Sequence, residues 1–253
     1  MAVRKRIGAL VPSTNTTGEA DYQLAAPAGV TVHGMRMWCT NEGLGTGEIM
    51  DLMNSEIASG AKYLSTANVD VIAYMCTTGS FYKGAGWDKE MREIIEQNSG
   101  VPGIATSPSA VEALNEIGAK KLSIATPYPE WNNGKLRDYF TAAGFEVLNV
   151  AGEANTASSG NQGINDQDPD EIVEFAASVC HPDADVLFCS CTAWRAMEAA
   201  GRLEERVGKP VITSNQATVW KTFKTLGINV RERGFDNFSI NWCRGKQRRL
   251  CCS

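Results

Sequence analysis

An internal repeat limits the folds that this chain can adopt more than any other feature of the sequence. Three pairs of segments match in chain order: 7–12 with 122–127, 69–77 with 184–192, and 100–104 with 208–212. The first two pairs share an offset of 115 residues, and in the second pair Asp, Val, Cys and Thr are identical in register. Three matches in the same order predict two similar lobes that face each other across a pseudo-two-fold axis.

Short β-branched runs alternate with helical patterns along most of the chain. The runs that predict strands are 6–11, 30–35, 69–75, 101–105, 121–126, 145–150, 185–189 and 210–213. Apolar residues at i, i+3 and i+4 spacing predict helices over 47–67, 87–98, 107–118, 131–143, 169–179, 193–207 and 215–226. This alternation predicts an α/β fold in which each lobe is a mainly parallel sheet flanked by helices, with the active site in the cleft between the lobes.

The repeat also predicts domain boundaries. We expect lobe one to comprise residues 1–115 and 217–253, and lobe two to comprise residues 116–216. Residues 151–168 are rich in Gly, Ser, Asn and Asp, which predicts a long loop that acts as a lid over the cleft. The glycine-rich segment 43–47 is predicted to be a lid or turn, because no Lys-Ser/Thr follows it as in a phosphate loop.

Charge and cysteine content argue against several classes of protein. The 253 residues carry 24 Lys and Arg against 29 Asp and Glu, a formal net charge of -5, which argues against nucleic-acid binding. No apolar run approaches the ~20 residues that span a bilayer, so we expect no membrane association. Eight Cys without a C-x-x-C pair, and only two His, argue against a zinc site. We expect a cytoplasmic homo-oligomer with reduced thiols.

Two cysteines occupy equivalent places in the repeat. Cys76 and Cys191 each follow a strand that reads as buried and precede a threonine. Ligands bind beyond the carboxyl ends of strands in open parallel sheets, so both thiols are expected at one cleft. A nearby helix start is expected to lower the pKa of each thiol and to favour the thiolate. The remaining internal cysteines are predicted to be small buried hydrophobic residues: Cys39, Cys180, Cys189 and Cys243.

Neutral hydrogen-bond donors accompany the thiols in the sequence. Thr77 and Thr78 follow Cys76 and offer hydroxyls and backbone N–H groups to a carboxylate, or to an enediolate made from it. Asn15 follows the first strand, and Tyr128 follows the strand that repeats it. Neutral donors suit a site in which negative charge moves during the reaction. Asn15 is equally compatible with a helix N-cap, and Tyr128 with a packing residue.

Taken in order, these motifs resemble the cofactor-independent aspartate/glutamate racemase superfamily, and within it the branch of maleate cis-trans isomerases and arylmalonate decarboxylases. The resemblance covers residues 6 to about 220, and four segments carry it: 11–15 (VPSTN), 76–82 (CTTGSFY), 126–128 (TPY) and 190–192 (SCT). It implies two lobes that enclose a site with catalytic thiols Cys76 and Cys191. It further implies that substrate is bound by Asn15, Thr77, Thr78, Tyr128, Asn161 and Thr192, with Asn155 and Asn165 as competitors for the role of Asn161.

The sequence mixes features of two subfamilies. The resemblance implies that decarboxylases of this kind keep only the thiol corresponding to Cys191, with Gly in place of Cys76, and hold an enediolate on a hydroxyl-rich loop like Thr77-Thr78. Maleate isomerases keep both thiols, but their loop after the first Cys is often more apolar. This chain combines both thiols with the hydroxyl-rich loop.

Three functions remain open on this basis. The first is cis-trans isomerisation of a short unsaturated dicarboxylate such as maleate, in which the Cys76 thiolate adds to an alkene carbon and Cys191 supplies and retrieves a proton. The second is two-base racemisation next to a carboxylate, with malonate decarboxylation through Cys191 as its near relative. The third is a module that closes two lobes over a dicarboxylate without chemistry. Two opposed thiols suffice for the enzymatic reactions, so we expect no metal, flavin or nicotinamide.

Overall fold

Two four-stranded parallel sheets form the centre of the molecule. The computed structural model describes residues 4–40 and 47–228. The strands are β1 (Lys5–Pro12), β2 (Val30–Met37), β3 (Val71–Tyr74), β4 (Gly103–Ala105), β5 (Lys121–Thr126), β6 (Glu146–Gly152), β7 (Val186–Cys189) and β8 (Val211–Thr213). The sheets have the orders β2-β1-β3-β4 and β6-β5-β7-β8, and every pairing is parallel. The predicted fold class is confirmed.

Helices cover both sheets. They are α1 (Gly18–Ala25), α2 (Gly47–Asn54), α3 (Ile57–Ser65), α4 (Thr77–Phe81), α5 (Trp87–Ser99), α6 (Thr106–Glu116), α7 (Glu130–Ala142), α8 (Ala154–Ser158), α9 (Gly160–Asp166), α10 (Pro169–Val179), α11 (Ala196–Val207) and α12 (Ser214–Thr225). No helix in the described ranges is long and apolar enough to cross a membrane.

Two predictions about local structure were wrong or incomplete. The single helix predicted over 47–67 is two helices, α2 and α3. The long loop predicted over 151–168 instead contains the end of β6 and the helices α8 and α9. A polar residue caps the first of these helices: Glu153 accepts hydrogen bonds from the N–H groups of Asn155 and Thr156 at the start of α8, so the polar composition of this segment includes a helix start. Most of segment 43–47, and Cys243 with the C-terminal tail, lie outside the described residues.

The backbone pairing reproduces the sequence repeat residue by residue. In the first sheet Ile7 pairs with Val71, and in the second sheet Leu122 pairs with Val186, each partner lying 115 residues further on. The aspartates that match in the repeat, Asp70 and Asp185, both accept hydrogen bonds from backbone N–H groups at the start of the neighbouring strand. Asp70 accepts a hydrogen bond from the Arg6 N–H at 2.7 Å, and Asp185 accepts from the N–H groups of residues 120 and 121 at 2.8 Å each. The two sheets are therefore structural copies of each other. In each sheet the carboxyl ends of the parallel strands lie at one edge.

The helix α12 joins the two halves. It follows β8 directly, and its side chains contact α6 and α1: Lys221 and Lys224 pair with Glu112 and Glu116, and Thr222 bonds to the buried hydroxyl of Tyr22 at 2.6 Å. One hydrophobic core contains apolar residues of both sheets. These contacts join α12 to helices of residues 1–116, and the predicted domain boundaries stay a prediction.

Candidate active site

A cavity lies beyond the carboxyl ends of β1, β3, β5 and β7. It has a volume of about 60 Å³. All eight residues predicted for the site line it: Asn15, Cys76, Thr77, Thr78, Tyr128, Asn161, Cys191 and Thr192. The other described lining residues are Pro12, Thr14, Cys39, Met50, Met53, Asn132, Ile164 and Ala193. Among the described residues, none that lines the cavity carries a formal charge.

Cys76 lies at the junction of β3 and α4. Its backbone is extended, with φ of -141° and ψ of 115°, and it is the N-cap residue of the helix. Its Sγ accepts a hydrogen bond from the Gly79 N–H at 3.4 Å. The buried hydroxyls of Ser80 and Ser107 lie 2.6 Å apart, and each is within hydrogen-bonding distance of the Thr77 carbonyl oxygen, so this cluster fixes the first turn of α4 against α6. The thiol is thus held at the cavity wall by a short helix start.

Cys191 occupies the equivalent position after β7. Its thiol receives hydrogen bonds from the N–H groups of Ala193 and Trp194 and from the hydroxyl of Tyr128. The Trp194 ring is fully buried, and its Nε1 donates to Gln167. The loop that carries Cys191 is therefore anchored in the core beside the cavity.

The expectation of lowered thiol pKa values was wrong. Burial raises the pKa of Cys76 to about 12 and the pKa of Cys191 to about 11, and the nearby N–H and hydroxyl donors reverse only part of this rise. The helix that Cys76 caps is only five residues long, and no cation lines the described part of the cavity to favour a thiolate. Both cysteines are therefore thiols in the resting structure.

Asn15 combines the two roles that its sequence context allows. Its Oδ1 accepts hydrogen bonds from the N–H groups of Thr17 and Gly18, both at 2.9 Å, at the start of α1. These two bonds fix the amide orientation, so that Nδ2 faces Thr192 Oγ1 at 3.1 Å. Thr192 in turn donates to the Met75 carbonyl at 2.9 Å. One amide hydrogen of Asn15 remains available to a ligand in the cavity, and the same network ties the two lobes together.

Tyr128 spans the cavity between the two cysteine loops. Its hydroxyl bonds to Cys191 and to the side chain of Thr77, and burial raises its pKa well above the usual value. The backbone of Tyr128 passes close to Gly152. This approach requires glycine, because a Cβ at position 152 would lie 1.9 Å from the Tyr128 carbonyl oxygen. Tyr128 is therefore both a packing residue and a hydroxyl donor beside Cys191.

Of the three candidate asparagines in the polar segment, Asn161 lines the cavity. Its Nδ2 donates to the Thr40 carbonyl at 2.7 Å, and its carbonyl accepts from Asn165 at 2.7 Å. Asn165 lies behind it and fixes the loop after β1, through the Thr14 carbonyl and the Thr16 N–H. Asn155 is exposed at the start of α8.

A sequence model of the arylmalonate decarboxylase family matches residues 30–238, which is most of the chain. The chain belongs to this family. The resemblance to the isomerase and decarboxylase branch of the racemase superfamily is thereby confirmed. The family is one of enzymes, and the binding-module alternative is not supported.

Several relatives of this family member are named maleate isomerase. The protein of that name from Geobacillus stearothermophilus is 27% identical over 242 residues, 90% of this chain and 94% of its own. The one from Pseudomonas putida is 29% identical over 88% of this chain and 92% of its own. Among solved structures, a cysteine-to-alanine variant of the maleate isomerase Iso from Pseudomonas putida S16, with maleate, has a TM-score of 0.78 and 26% identity, covering 88% of this chain and 92% of its own.

The cavity of this family member also contains residues that sequence reasoning missed. Cys39 was predicted to be a buried hydrophobic residue, but it is a third thiol of the cavity, bonded to the side chains of Thr14 and Asn161. Asn132 donates to Thr78 Oγ1 at 3.2 Å, and its buried Oδ1 has no partner. The repeat contained no signal for Cys39. Asn132 lies one turn after the 126–128 motif, and its position at a helix start was the available signal.

Proposed function

We propose that this enzyme catalyses the cis-trans isomerisation of a small unsaturated dicarboxylate of the maleate type, with Cys76 as nucleophile and Cys191 as proton donor and acceptor. The observation that carries the proposal is the pair of thiols at one cavity whose described lining offers only neutral hydrogen-bond donors. The relatives named maleate isomerase, and the neighbour with maleate, support this substrate class.

The reaction is an addition followed by an elimination. The sulfur of Cys76 bonds to one alkene carbon, and the π electrons move toward the carboxylate on the other carbon as an enediolate, which Asn15 and Tyr128 hold. Cys191 gives its proton to that carbon, so that the former double bond becomes a single bond and rotates. In the reverse steps Cys191 takes a proton back from that carbon and returns one to the Cys76 sulfur as the C–S bond breaks, and the double bond re-forms in the trans configuration.

Raised thiol pKa values favour this reaction over two-base racemisation. Racemisation starts with a thiolate that removes a proton from carbon, and the resting cavity contains thiols. Addition of Cys76 needs no net loss of a proton, because Cys191 gives one proton to carbon and receives the one that Cys76 releases. The protein then has the same charge before and after addition.

Malonate decarboxylation is the second candidate, favoured by the hydroxyls of Thr77 and Thr78 at the cavity. Cavity size supports the smaller substrate: a cavity of roughly 150 Å³ holds a benzene molecule, and this one has about 60 Å³. It must widen for either substrate, and it must widen much further for a malonate that carries an aryl group.

One proton NMR experiment in deuterium oxide separates the candidate reactions. The pure enzyme is incubated with maleate, with a 2-substituted malonate and with one enantiomer of aspartate. We expect conversion of maleate to fumarate, and a loss of at least ~10³-fold in kcat for both Cys76→Ser and Cys191→Ser. Cys180→Ser, at a half-buried thiol outside the cavity, is the matched control. Retained isomerisation in either cavity variant would exclude the two-thiol mechanism, and a requirement for Cys191 alone would indicate decarboxylation.

Covalent chemistry distinguishes isomerisation from racemisation most directly. In Cys191→Ala the adduct between Cys76 and maleate cannot exchange its proton in the usual way, so we expect it to accumulate. After denaturation, the peptide that contains Cys76 should gain the mass of one maleic acid, ~116 Da. Unmodified Cys76, combined with rapid exchange of solvent deuterium into a saturated substrate, would favour racemisation instead.

A further inference from the structure

The hydroxyl of Tyr74 lies within hydrogen-bonding reach of Cys76 Sγ, although Tyr74 is not among the residues that line the cavity. Tyr74 is the last residue of β3 and is fully buried. Its place depends on a glycine, because a Cβ at position 79 would stand 1.9 Å from Tyr74 Oη. Gly79 therefore both donates its N–H to Cys76 and leaves the space that the Tyr74 hydroxyl occupies.

Asn54 fixes the direction of the Tyr74 hydroxyl. Asn54 Nδ2 faces the Gly79 carbonyl oxygen at 3.3 Å, and because a carbonyl can only accept, the amide oxygen must point the other way. That oxygen accepts a hydrogen bond from Tyr74 Oη at 2.5 Å. Behind Asn54, the hydroxyl of Tyr82 donates to Asp51 at 2.6 Å, and Lys83 pairs with the same carboxylate. A continuous polar chain thus runs from the surface to Tyr74.

The effect of Tyr74 on the Cys76 thiol depends on the direction of the Tyr74 hydroxyl hydrogen. While Cys76 is protonated, the Tyr74 hydrogen points to the side-chain oxygen of Asn54. When Cys76 gives up its proton, that hydrogen can turn to the sulfur, where a hydrogen bond to a charged acceptor is stronger than one to a neutral amide. We propose that Tyr74 is a positioning residue that orients Cys76 and donates its hydroxyl hydrogen to the thiolate that forms as the sulfur attacks.

Among the described residues, no titratable group that acts on the pair would stabilise the thiolate. The titratable groups that act on Cys76 and Tyr74 are Cys39, Cys191 and Tyr82, and the negative form of each would oppose a second negative charge. Gly79 N–H is the other donor to the sulfur, at 3.4 Å. The proposal rests on the proposed function for its catalytic consequence, whereas the effect on the thiol itself can be measured without turnover.

The test is the pH dependence of Cys76 alkylation by iodoacetamide, followed by mass spectrometry of its peptide so that the other thiols do not contribute. Loss of a donor to a charged acceptor in Tyr74→Phe should move the profile up by about one pH unit, a roughly tenfold slower reaction at fixed pH. Tyr22→Phe is the matched control, since Tyr22 is equally buried and bonds to Thr222 in the lobe-one core. Its profile should coincide with that of the wild-type protein.

A second variant keeps the test decisive if Tyr74→Phe is poorly folded. Gly79→Ala displaces the Tyr74 hydroxyl and should produce the same upward shift, and the shift should be much smaller in the double variant with Tyr74→Phe. Unchanged profiles in both single variants, or an equal shift in Tyr22→Phe, would overturn the proposal. A shifted profile in an enzyme that fails to isomerise maleate would contradict the proposed function and leave the role of Tyr74 standing.

Discussion

The buried carboxyl of Asp21 should make the stability of this enzyme depend on pH in an unusual direction. Asp21 lies on α1 and is 3% exposed, and Asn215 Nδ2 donates both to it, at 2.6 Å, and to the carbonyl of Thr192. Burial, with a smaller contribution from the neighbouring Glu198, raises the pKa of Asp21 from 3.8 to about 7, although the hydrogen bond from Asn215 and the charge of Arg195 act to lower it. Between these values the folded chain holds a proton that the unfolded chain releases. Stability therefore falls as pH rises through this interval.

The expected size of this effect follows from the shift in pKa. A rise of about three units corresponds to roughly 4 kcal/mol at about 1.4 kcal/mol per unit, fully lost above pH 7. Asp21→Asn keeps the side-chain volume and cannot ionise. The stability of this variant relative to the wild-type protein should therefore rise by about 4 kcal/mol between pH 4 and pH 8.

Urea unfolding followed by tryptophan fluorescence at each pH unit from 4 to 9 measures this difference. The midpoint of Asp21→Asn relative to wild type should move upward by roughly 1–2 M across the range. Asp185→Asn is the control, because two backbone N–H groups lower the pKa of Asp185 below its usual value, so the stability that its ionisation contributes is lost only in more acidic solution and its difference from wild type should stay nearly constant across this range. A stability difference between Asp21→Asn and wild type that stays constant with pH would refute the reasoning.

Three further variants test how the cavity is built. Gly152→Ala forces the Tyr128 backbone away, so we expect at least a tenfold loss of turnover together with a lower Tm, read by NMR and thermal unfolding. Asn132→Ala removes a cavity amide, and KM for maleate should rise about tenfold while kcat changes less than about threefold; an unchanged KM would place Asn132 outside the binding site. Cys39→Ala should retain isomerisation within about threefold, since Cys39 has no repeat partner, and a loss comparable to that of Cys76→Ser would make it a third catalytic thiol.

The sequence predicted the strands and the place of the site because both depend on repeated local patterns. Continuous apolar runs are typical of parallel strands that are buried on both faces. All eight observed strands overlap predicted runs, although the edge strands β2 and β6 are only partly buried. The offset of 115 residues appears in the backbone register, where Ile72 and Leu187 occupy matching positions beside Gly103 and Val211. The carboxyl ends of these strands bring Cys76 and Cys191 to one cavity.

What the sequence did not predict depends on contacts between distant segments. The helix α1 has weak amphipathic character, and its start is fixed by Asn15 and by Thr17, whose hydroxyl donates to the Ala193 carbonyl in the other lobe at 2.9 Å. Cys39 reaches the cavity because Ser13 holds its backbone through two hydrogen bonds. The raised pKa of each of the two thiols, Cys76 and Cys191, depends on burial by distant segments, which no local pattern reveals.

In the proposed reaction, the neutral lining of the cavity explains how Cys76 and Cys191 serve as catalysts. A dicarboxylate brings its own negative charge into a space where the described residues provide only N–H, O–H and S–H donors. A preformed thiolate would oppose that charge and weaken binding, so a raised thiol pKa favours the arrival of the substrate. Once it is bound, charge leaves Cys76 as sulfur bonds to carbon and collects on the enediolate, beside Asn15 and Tyr128. The same burial that makes Cys76 unreactive toward solvent thus makes it compatible with an anionic alkene.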